Sequence, residues 1–313
     1  MELWKTAFDD SDKFMRLYFN QVYRDENALV IERDGRVLSS LQMIPYTMTF
    51  CGEEIPAAYI AGVSTLPSEQ GKGLMKELLQ QAFKEMEQRN IAVAVLIPAE
   101  KWLFGFYRSQ GFKEVFEYAL KVYTRHKYTE IEQGLVVVEQ DEDVDEQVFA
   151  FFDRKLRERK SCVLHSPEDL TTIIKDMKLS KGKVFVAYNS EKQPVGMAFA
   201  CRPEKESVPK STLIKEILHD DERSKRHLLF EVTQQFRVHK ALYRMPYQSD
   251  NLTPFPYGMA RVMDADRLIH LWAKTHPDTN VSIDEMAQMD ILALASHLFD
   301  YPNKTAYMSL MLD

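Results

Sequence analysis

Cysteine is scarce in this 313-residue chain: Cys51, Cys162 and Cys201 are scattered and odd in number. No C-x-x-C spacing occurs, so neither a disulfide framework nor a zinc site is indicated, and a reducing cytoplasm is the expected setting. Positive charge is also in deficit. Forty Lys and Arg against 47 Asp and Glu leave a net charge of -7 and a pI near 5.7. That balance argues against a general nucleic-acid binder and mildly favours cationic small partners such as amines. No window reaches about 18 apolar residues, and MELWKTAFDD has no basic segment followed by an apolar core, so neither a membrane span nor a signal peptide is expected. What is present is globular. With 45% hydrophobic and 28% charged residues, the chain is long enough for two domains or for two plus a small extra.

The most informative stretch is AYIAGVSTLPSEQGKGLMKELL, from Ala58 to Leu79. An apolar run to Thr65, a polar turn with Gly71 and Gly73, and an amphipathic pattern from Leu74 to Met86 spell strand, tight turn and helix. Free N–H groups at such a helix start, with the positive end of the macrodipole behind them, favour a phosphate or pyrophosphate. Two glycines alone are more often a turn than a ligand site.

V-S-T-x-P-x-x-Q-G-K-G-L-M-x-x-L-L resembles the coenzyme A pyrophosphate motif of GNAT-superfamily N-acetyltransferases, Q/R-x-x-G-x-G/A, with Gln70 and Gly73 in its first two key places and Met75 in the third. The G-[LIV]-[ML] ending and the long chain that follows are similar to the enhanced-intracellular-survival branch. Members of that branch join a GNAT domain, a degenerate GNAT-like domain and a sterol-carrier-like C-terminal portion. The resemblance implies acetyl-CoA as co-substrate and no metal. Val63, Ser64 and Thr65 would face the pantetheine or acetyl end, and Gln70, Gly71, Lys72, Gly73, Leu74 and Met75 the pyrophosphate. The string FYRSQGF resembles the FYxxxGF signature, which makes Tyr107 the tyrosine near the thioester sulfur.

The implied chemistry asks for one base and one acid. An amine of intrinsic pKa near ~10.4 must lose a proton, and a phenol near ~10 can protonate the leaving thiolate. PAAYIAGVST holds no Asp or Glu, and Glu53 and Glu54 are expected on a solvated turn before it. In the resembling branch the chain's own terminal carboxylate serves through water, which makes Asp313 the candidate here.

In chain order, a helix is expected over Asp10 to Arg24, with Asp9, Asp10 and Asp12 at its start as cap residues or an acidic rim. A hairpin on Asp34-Gly35 joins Ala28–Arg33 to Val37–Ile44, and a third strand follows at Tyr46–Phe50. A buried strand is expected at Ile91–Pro98, a helix at Trp102–Ser109 and a strand at Phe112–Tyr123. After a linker near 128–134, helices to about Arg159 and from Pro167 precede the hairpin KVFVAYN and QPVGMAFAC. A second strand, turn and helix then carries Asp220, Asp221 and Glu222 where the first copy has its glycines. Three carboxylates there would repel a pyrophosphate, so this copy reads as degenerate. The tail has an amphipathic stretch, Val262–Trp272, and a capping box at Ser282 and Glu285 opening a helix to about Phe299. The expected fold class is mixed α/β, tandem GNAT-like twisted sheets flanked by helices: 1–127 catalytic, 135–250 degenerate, 251–313 a trimmed sterol-carrier-like tail. Expected partners are a small-molecule amine or protein lysine and a possible homo-oligomer, with no nucleic acid and no membrane. The rival reading is a non-catalytic acyl-CoA-binding or scaffolding protein. A nucleotide-binding protein is disfavoured because Gly73 is followed by Leu74, not by the Lys and Ser/Thr of a Walker motif.

Overall fold

The computed structural model describes residues 2–126, 134–203, 210–247, 252–302 and 306–312. Helix α1 (Glu2–Ala7), not expected from the sequence, buries Leu3 and Trp4. Helix α2 (Asp12–Gln21) starts at Ser11, whose hydroxyl accepts the Phe14 N–H at 3.2 Å. Its aspartates are structural: Asp10 accepts the Trp4 indole N–H at 2.9 Å and Asp12 pairs with Lys5 at 3.4 Å. β1 (Ala28–Arg33) and β2 (Arg36–Phe50) form the expected hairpin, with Asp34 at φ 51° and Gly35 at φ 71°, the two positive angles of a type I′ turn. β2 is one fifteen-residue strand, not two. Pro45 falls in a gap on the strand's outer edge, between the end of the β1 ladder at Gln42 and the pairing of Thr47 and Met48 with residues 163–164, which is where a proline is tolerated.

β3 (Glu53–Thr65) begins earlier than expected, so Glu53 and Glu54 open the strand and are not on a turn; Glu54 pairs with Arg157. Helix α3 (Leu74–Gln88) buries Leu74, Leu78, Leu79, Ala82, Phe83 and Met86 on one face, and β4 (Val93–Leu96) is buried throughout. Helix α4 (Lys101–Ser109) and β5 (Lys113–Thr124) follow. Of the expected linker only Gly134 lies within the described residues.

The second half runs β6 (Val136–Glu139), α5 (Glu146–Arg157), β7 (Ser161–Leu164), α6 (Pro167–Leu179), β8 (Lys183–Tyr188), β9 (Pro194–Cys201), β10 (Ser211–His219), α7 (Glu222–Gln235) and β11 (Lys240–Pro246). Its core order, antiparallel β9–β10, then α7, then β11 parallel to β10, repeats β2–β3, α3, β4 of the first half. The short strand β7 was missed because four residues after a helix carry no periodicity; it pairs with β2 of the first half.

The tail opens with β12 (Phe255–Val262), a strand not expected from the sequence, followed by α8 (Ala265–Thr275) over the amphipathic stretch, α9 (Ile283–Ala287), α10 (Ile291–Leu298) and β13 (Ala306–Tyr307). The expected single helix after Ser282 is two, because Asp290 caps a new start by accepting the Leu292 and Ala293 N–H groups. β12 wedges between β4 and β5, antiparallel to both, and β5 pairs with β11, so both halves share one sheet. One face of the first half's sheet packs on α3 and α4, the other on α2, α8, α10 and the chain end. The second half's core is built by α5, α6 and α7. Among the described residues no helix is long and apolar enough to cross a membrane, and all three cysteines are free thiols.

The wedge fits tightly. A Cβ on Gly258 of β12 would stand 2.3 Å from Met308 Cε and 3.1 Å from the Leu96 carbonyl. Gly258→Ala is therefore expected to cost about 1 to 3 kcal/mol in chemical denaturation, and in a double-mutant cycle Met308→Ala should recover part of it. Strictly additive losses would mean that Met308 does not lie over β12.

Candidate active site

β3 and β4 pair over only three residue couples, Ala57 with Val93, Ala58 with Ala94 and Tyr59 with Val95. β3 then runs on to Thr65 while β4 ends at Leu96, so the strands part and the edge of β3 facing away from β2 is left without a strand partner from Ile60 onward. On the other edge the β2 register slips between Ser40–Ser64 and Gln42–Ala61, which sets Leu41 opposite both Gly62 and Val63. This is a β-bulge, the feature that re-aims a strand next to a site. Gly62 adopts φ 59°, and a Cβ there would lie 2.5 Å from the Trp4 ring. Glycine is thus required both by the backbone and by the α1 tryptophan clamped over the bulge, a partner the sequence did not reveal because the contact spans 58 positions.

Val63 lies half-buried in one apolar cluster with Tyr107 and Met75. The hydroxyls of the next two residues are engaged elsewhere: Ser64 Oγ with Ser40 Oγ at 3.0 Å, Thr65 Oγ1 with Ser39 Oγ at 2.8 Å. The Ser64 carbonyl accepts the Ser39 hydroxyl at 2.9 Å and the Thr65 carbonyl accepts the Gln70 amide, so what the pair has left for a ligand is its backbone N–H groups.

Beyond them Pro67–Glu69 make a single 3-10 turn and Gln70 folds back, its side-chain amide donating to the Thr65 carbonyl at 3.3 Å. Gly71 (φ 75°) and Gly73 (φ 83°) both need the left-handed region, and an added Cβ at either would meet nothing within 4 Å, so the space over the turn is open. Gly73 is the N-cap of α3 and supplies no side-chain oxygen. The other helices of ten or more residues, α2, α5, α6, α7 and α8, are capped by Ser11, Asp145, Ser166, Asp221 and Asp264. The first-turn N–H groups of α3 are thus left for an anion, with the macrodipole aligned behind them. Lys72 adds an exposed cation over the turn, tied to Glu69 at 3.0 Å. Leu74 and Met75 point into apolar clusters beneath, which is why the third key place can hold methionine. A diphosphate fits this turn.

Tyr107 lies on α4 at 4% exposure, edge-on to Phe106 and Phe112 with ring centroids 5.2 and 5.9 Å away. Burial pushes its phenol well above the ordinary range, so it stays protonated. Its hydroxyl has no hydrogen-bond partner among the described residues. Neighbouring Arg108 pairs with Glu114 and is accounted for by that contact. Asp313 lies outside the described residues. The segment leading to it packs on the other face of the sheet: Met308 lies over Gly258 of β12, and both Met308 and Met311 join the cluster holding Trp4, Tyr59 and Ala61.

The large cavities lie elsewhere. One of about 480 Å³ sits between the two halves and one of about 610 Å³ in the second half; neither is lined by residues 63–65 or 70–75. In the second half β10 and β11 part after Ile214–Tyr243, as β3 and β4 do. There, however, Asp221 caps α7 with a capping box to Ser224, and three of the four Lys and Arg side chains lining the cavity are taken: Arg159 by Glu216, Lys155 by Glu158 and Asp220, Lys225 by Glu222. The acidic run is a helix cap. His276 stacks on Trp272 at 4.2 Å and His297 lies tilted against it at 4.4 Å, and no cluster of three or more His, Cys, Asp or Glu among the described residues is placed to hold a metal.

Residues 1–115 match the family model described as Acetyltransferase (GNAT) domain, which classes this part of the chain with GNAT-type acyltransferases. No curated protein matches the chain. Among solved structures it is similar to a conserved protein of unknown function from Enterococcus faecalis V583, described as a probable N-acyltransferase (15% identity, 87% of this chain and 71% of that one, TM-score 0.71). It is also similar to a GCN5-related N-acetyltransferase from Anabaena variabilis (15%, 86% and 70%, 0.70) and to Eis1 from Mycobacterium abscessus (13%, 83% and 72%, 0.61). At these identities the likeness establishes a GNAT-like mixed α/β fold.

Gly73→Glu, which sets a carboxylate where the anion would sit, is expected to abolish coenzyme A binding while the melting profile stays cooperative. Gly73→Ala carries only the backbone strain of a positive φ, about 1 to 2 kcal/mol, and should keep measurable affinity. Equal affinities in calorimetric titrations of wild type and Gly73→Glu would remove the turn from the site.

Proposed function

We propose that the chain is an acetyl-CoA-dependent N-acetyltransferase that moves the acetyl group to a primary amine, on a small molecule or an exposed lysine, by direct attack on the thioester. The observation that carries this is the uncapped glycine turn of α3 beside the parted strands, with the unpartnered Tyr107 hydroxyl in the same cluster as Val63. Coenzyme A supplies an activated acetyl group and a thiolate leaving group. The chain binds the diphosphate at Gln70 to Met75, offers the free edge of β3 from Val63 to Thr65 to the pantetheine, and holds a proton at Tyr107 Oη. The amine nitrogen forms a bond to the acyl carbon, the carbon–sulfur bond breaks, the amine proton leaves to a base, and Tyr107 protonates the sulfur. No carboxylate on β3 is near the parted strands, and the base is assigned to Asp313 through water, as the resemblance implies.

The domain plan belongs to the same reading: 1–127 catalytic, 135–250 a degenerate GNAT-like unit supported by its repeated element order, and 251–313 a trimmed sterol-carrier-like tail. Three free thiols suit a cytoplasmic setting. The rival, an acyl-CoA-binding protein without catalysis, is favoured by one observation, the missing strand carboxylate. Binding of acetyl-CoA without thiol release across a broad amine panel would decide for it. No heat of binding at about 1 mM acetyl-CoA, a free energy weaker than about -4 kcal/mol, would sink both.

Tyr107→Phe keeps the ring and removes the proton, so acetyl-CoA affinity should hold while turnover falls by about 10²-fold or more. Because the phenol is held above its ordinary pKa, it remains a competent acid throughout the working range. The rate should therefore climb with pH towards about 10 as amine deprotonates, with no descending limb. Residues appended after Asp313 should also depress turnover; full activity in that variant would leave water as the base.

A further inference from the structure

Among the described residues the most exposed large hydrophobic side chain is Trp102, in the first turn of α4, at 71%. The other two tryptophans, Trp4 and Trp272, are buried. No ring, cation or hydrogen-bond partner among the described residues engages the Trp102 indole. The fold therefore gives no packing reason for an indole at this position.

Its place in the sheet gives one. α3 follows the C-terminal end of β3, α4 follows the C-terminal end of β4, and these strands are parallel, so both helices start at the same end of the sheet. Met75 and Leu103, each in the first turn of its helix, pack in one apolar cluster with Val63, Phe106 and Tyr107. At about 100° per residue, Leu103, Tyr107 and Gln110 share the flank of α4 that faces the sheet, and Tyr107 and Gln110 are buried there. Trp102 and Phe106, four residues apart, share a second flank, and Arg108 falls on the flank opposite Phe106. Arg108 reaches Glu114 of β5, and β5 lies on the side of β4 away from β3. The Trp102 and Phe106 flank is thus the one turned towards β3 and the glycine turn of α3.

From its diphosphate, coenzyme A continues one way into the pantetheine and the other way, through a ribose, into adenine. With the diphosphate over Gly71 and Gly73 and the pantetheine along the free edge of β3, the adenosine leaves the turn at the mouth of the groove between the two helix starts. The space over the turn is open. A purine offers a flat π face, and an indole is the side chain best able to cover it.

We propose that Trp102, with Phe106 beside it, seats the adenine base, and that the donor is thereby restricted to free coenzyme A thioesters, as opposed to acyl groups held on the phosphopantetheine of a carrier protein. This rests on the acetyltransferase reading for its ligand and adds the contact by which the donor is chosen.

Because the other tryptophans are buried, the solvent-exposed part of the intrinsic fluorescence belongs to Trp102, and Trp102→Phe should remove it. In the full chain, acetyl-CoA and adenosine 3′,5′-bisphosphate should quench that emission and shield it from acrylamide, while acetyl-phosphopantetheine, which has no base, should do neither. In calorimetry Trp102→Ala should weaken acetyl-CoA about 10- to 100-fold, the size of one base stacked on one ring, and leave acetyl-phosphopantetheine binding as in wild type; Trp102→Phe should keep part of the affinity. In kinetics the loss should appear in the KM for acetyl-CoA and not in kcat. Exposed emission unchanged at saturating acetyl-CoA, or a Trp102→Ala loss of the same size with and without the nucleotide, would overturn the proposal while leaving the transferase reading standing. Quenching and a nucleotide-specific loss without turnover of any amine would uphold the adenine contact and count against the transferase reading. No binding of acetyl-CoA at all would overturn both.

Discussion

The parallel ladder between β3 and β4 stops after Tyr59–Val95, and the catalytic reading of the chain depends on that stop. A longer ladder would close the sheet and leave no backbone edge for a pantetheine. The chain enforces the parting from two sides. Gly62 bulges β3 under the Trp4 ring, and β4 ends after four residues, at Leu96. The diphosphate turn follows from the same strand: β3 delivers Thr65 to a short turn whose two left-handed glycines start α3 without a side-chain cap.

The two halves and the tail are not independent modules. β12 fills the sheet between β4 and β5, and β5 carries the second half on its far edge through β11. At the other end Arg159 and Glu216 form a bidentate pair at 2.9 and 3.0 Å, with the guanidinium 4.4 Å from the ring centroid of Tyr307 on β13. His165 of the second half meets the Ser309 carbonyl at 3.0 Å. A buried charge pair of this kind is a strong loss when one partner is removed, so it fixes the path of the chain end more than it adds stability. The path it fixes is the one that packs over β12 and edges the cavity between the halves.

Local chemistry was legible in the sequence. The Asp34-Gly35 hairpin, the Ser11 cap, the Ser282–Glu285 capping box, the α3 face and the repeated order of the second half all rest on residues near one another in the chain. The glycine turn and Tyr107 were also found, because each sits in a short spaced motif. What the sequence hid is long-range. Trp4 over Gly62, β7 beside β2 and β12 between β4 and β5 join segments 58 to about 165 positions apart, and no local period reports such a contact. Pro45 was misleading for the same reason: whether a proline breaks a strand depends on which edge is covered, and only the sheet shows that.

The central claim, that the uncapped start of α3 binds the diphosphate of acetyl-CoA, is tested most directly by amide hydrogen exchange with and without acetyl-CoA. The account predicts new protection confined to the amides of the Gly73–Lys76 turn and the free edge of β3 at Val63–Thr65, with none at the start of α7, whose amides are already engaged by Asp221. Protection at α7, or an unchanged α3 turn at saturating acetyl-CoA, would contradict it.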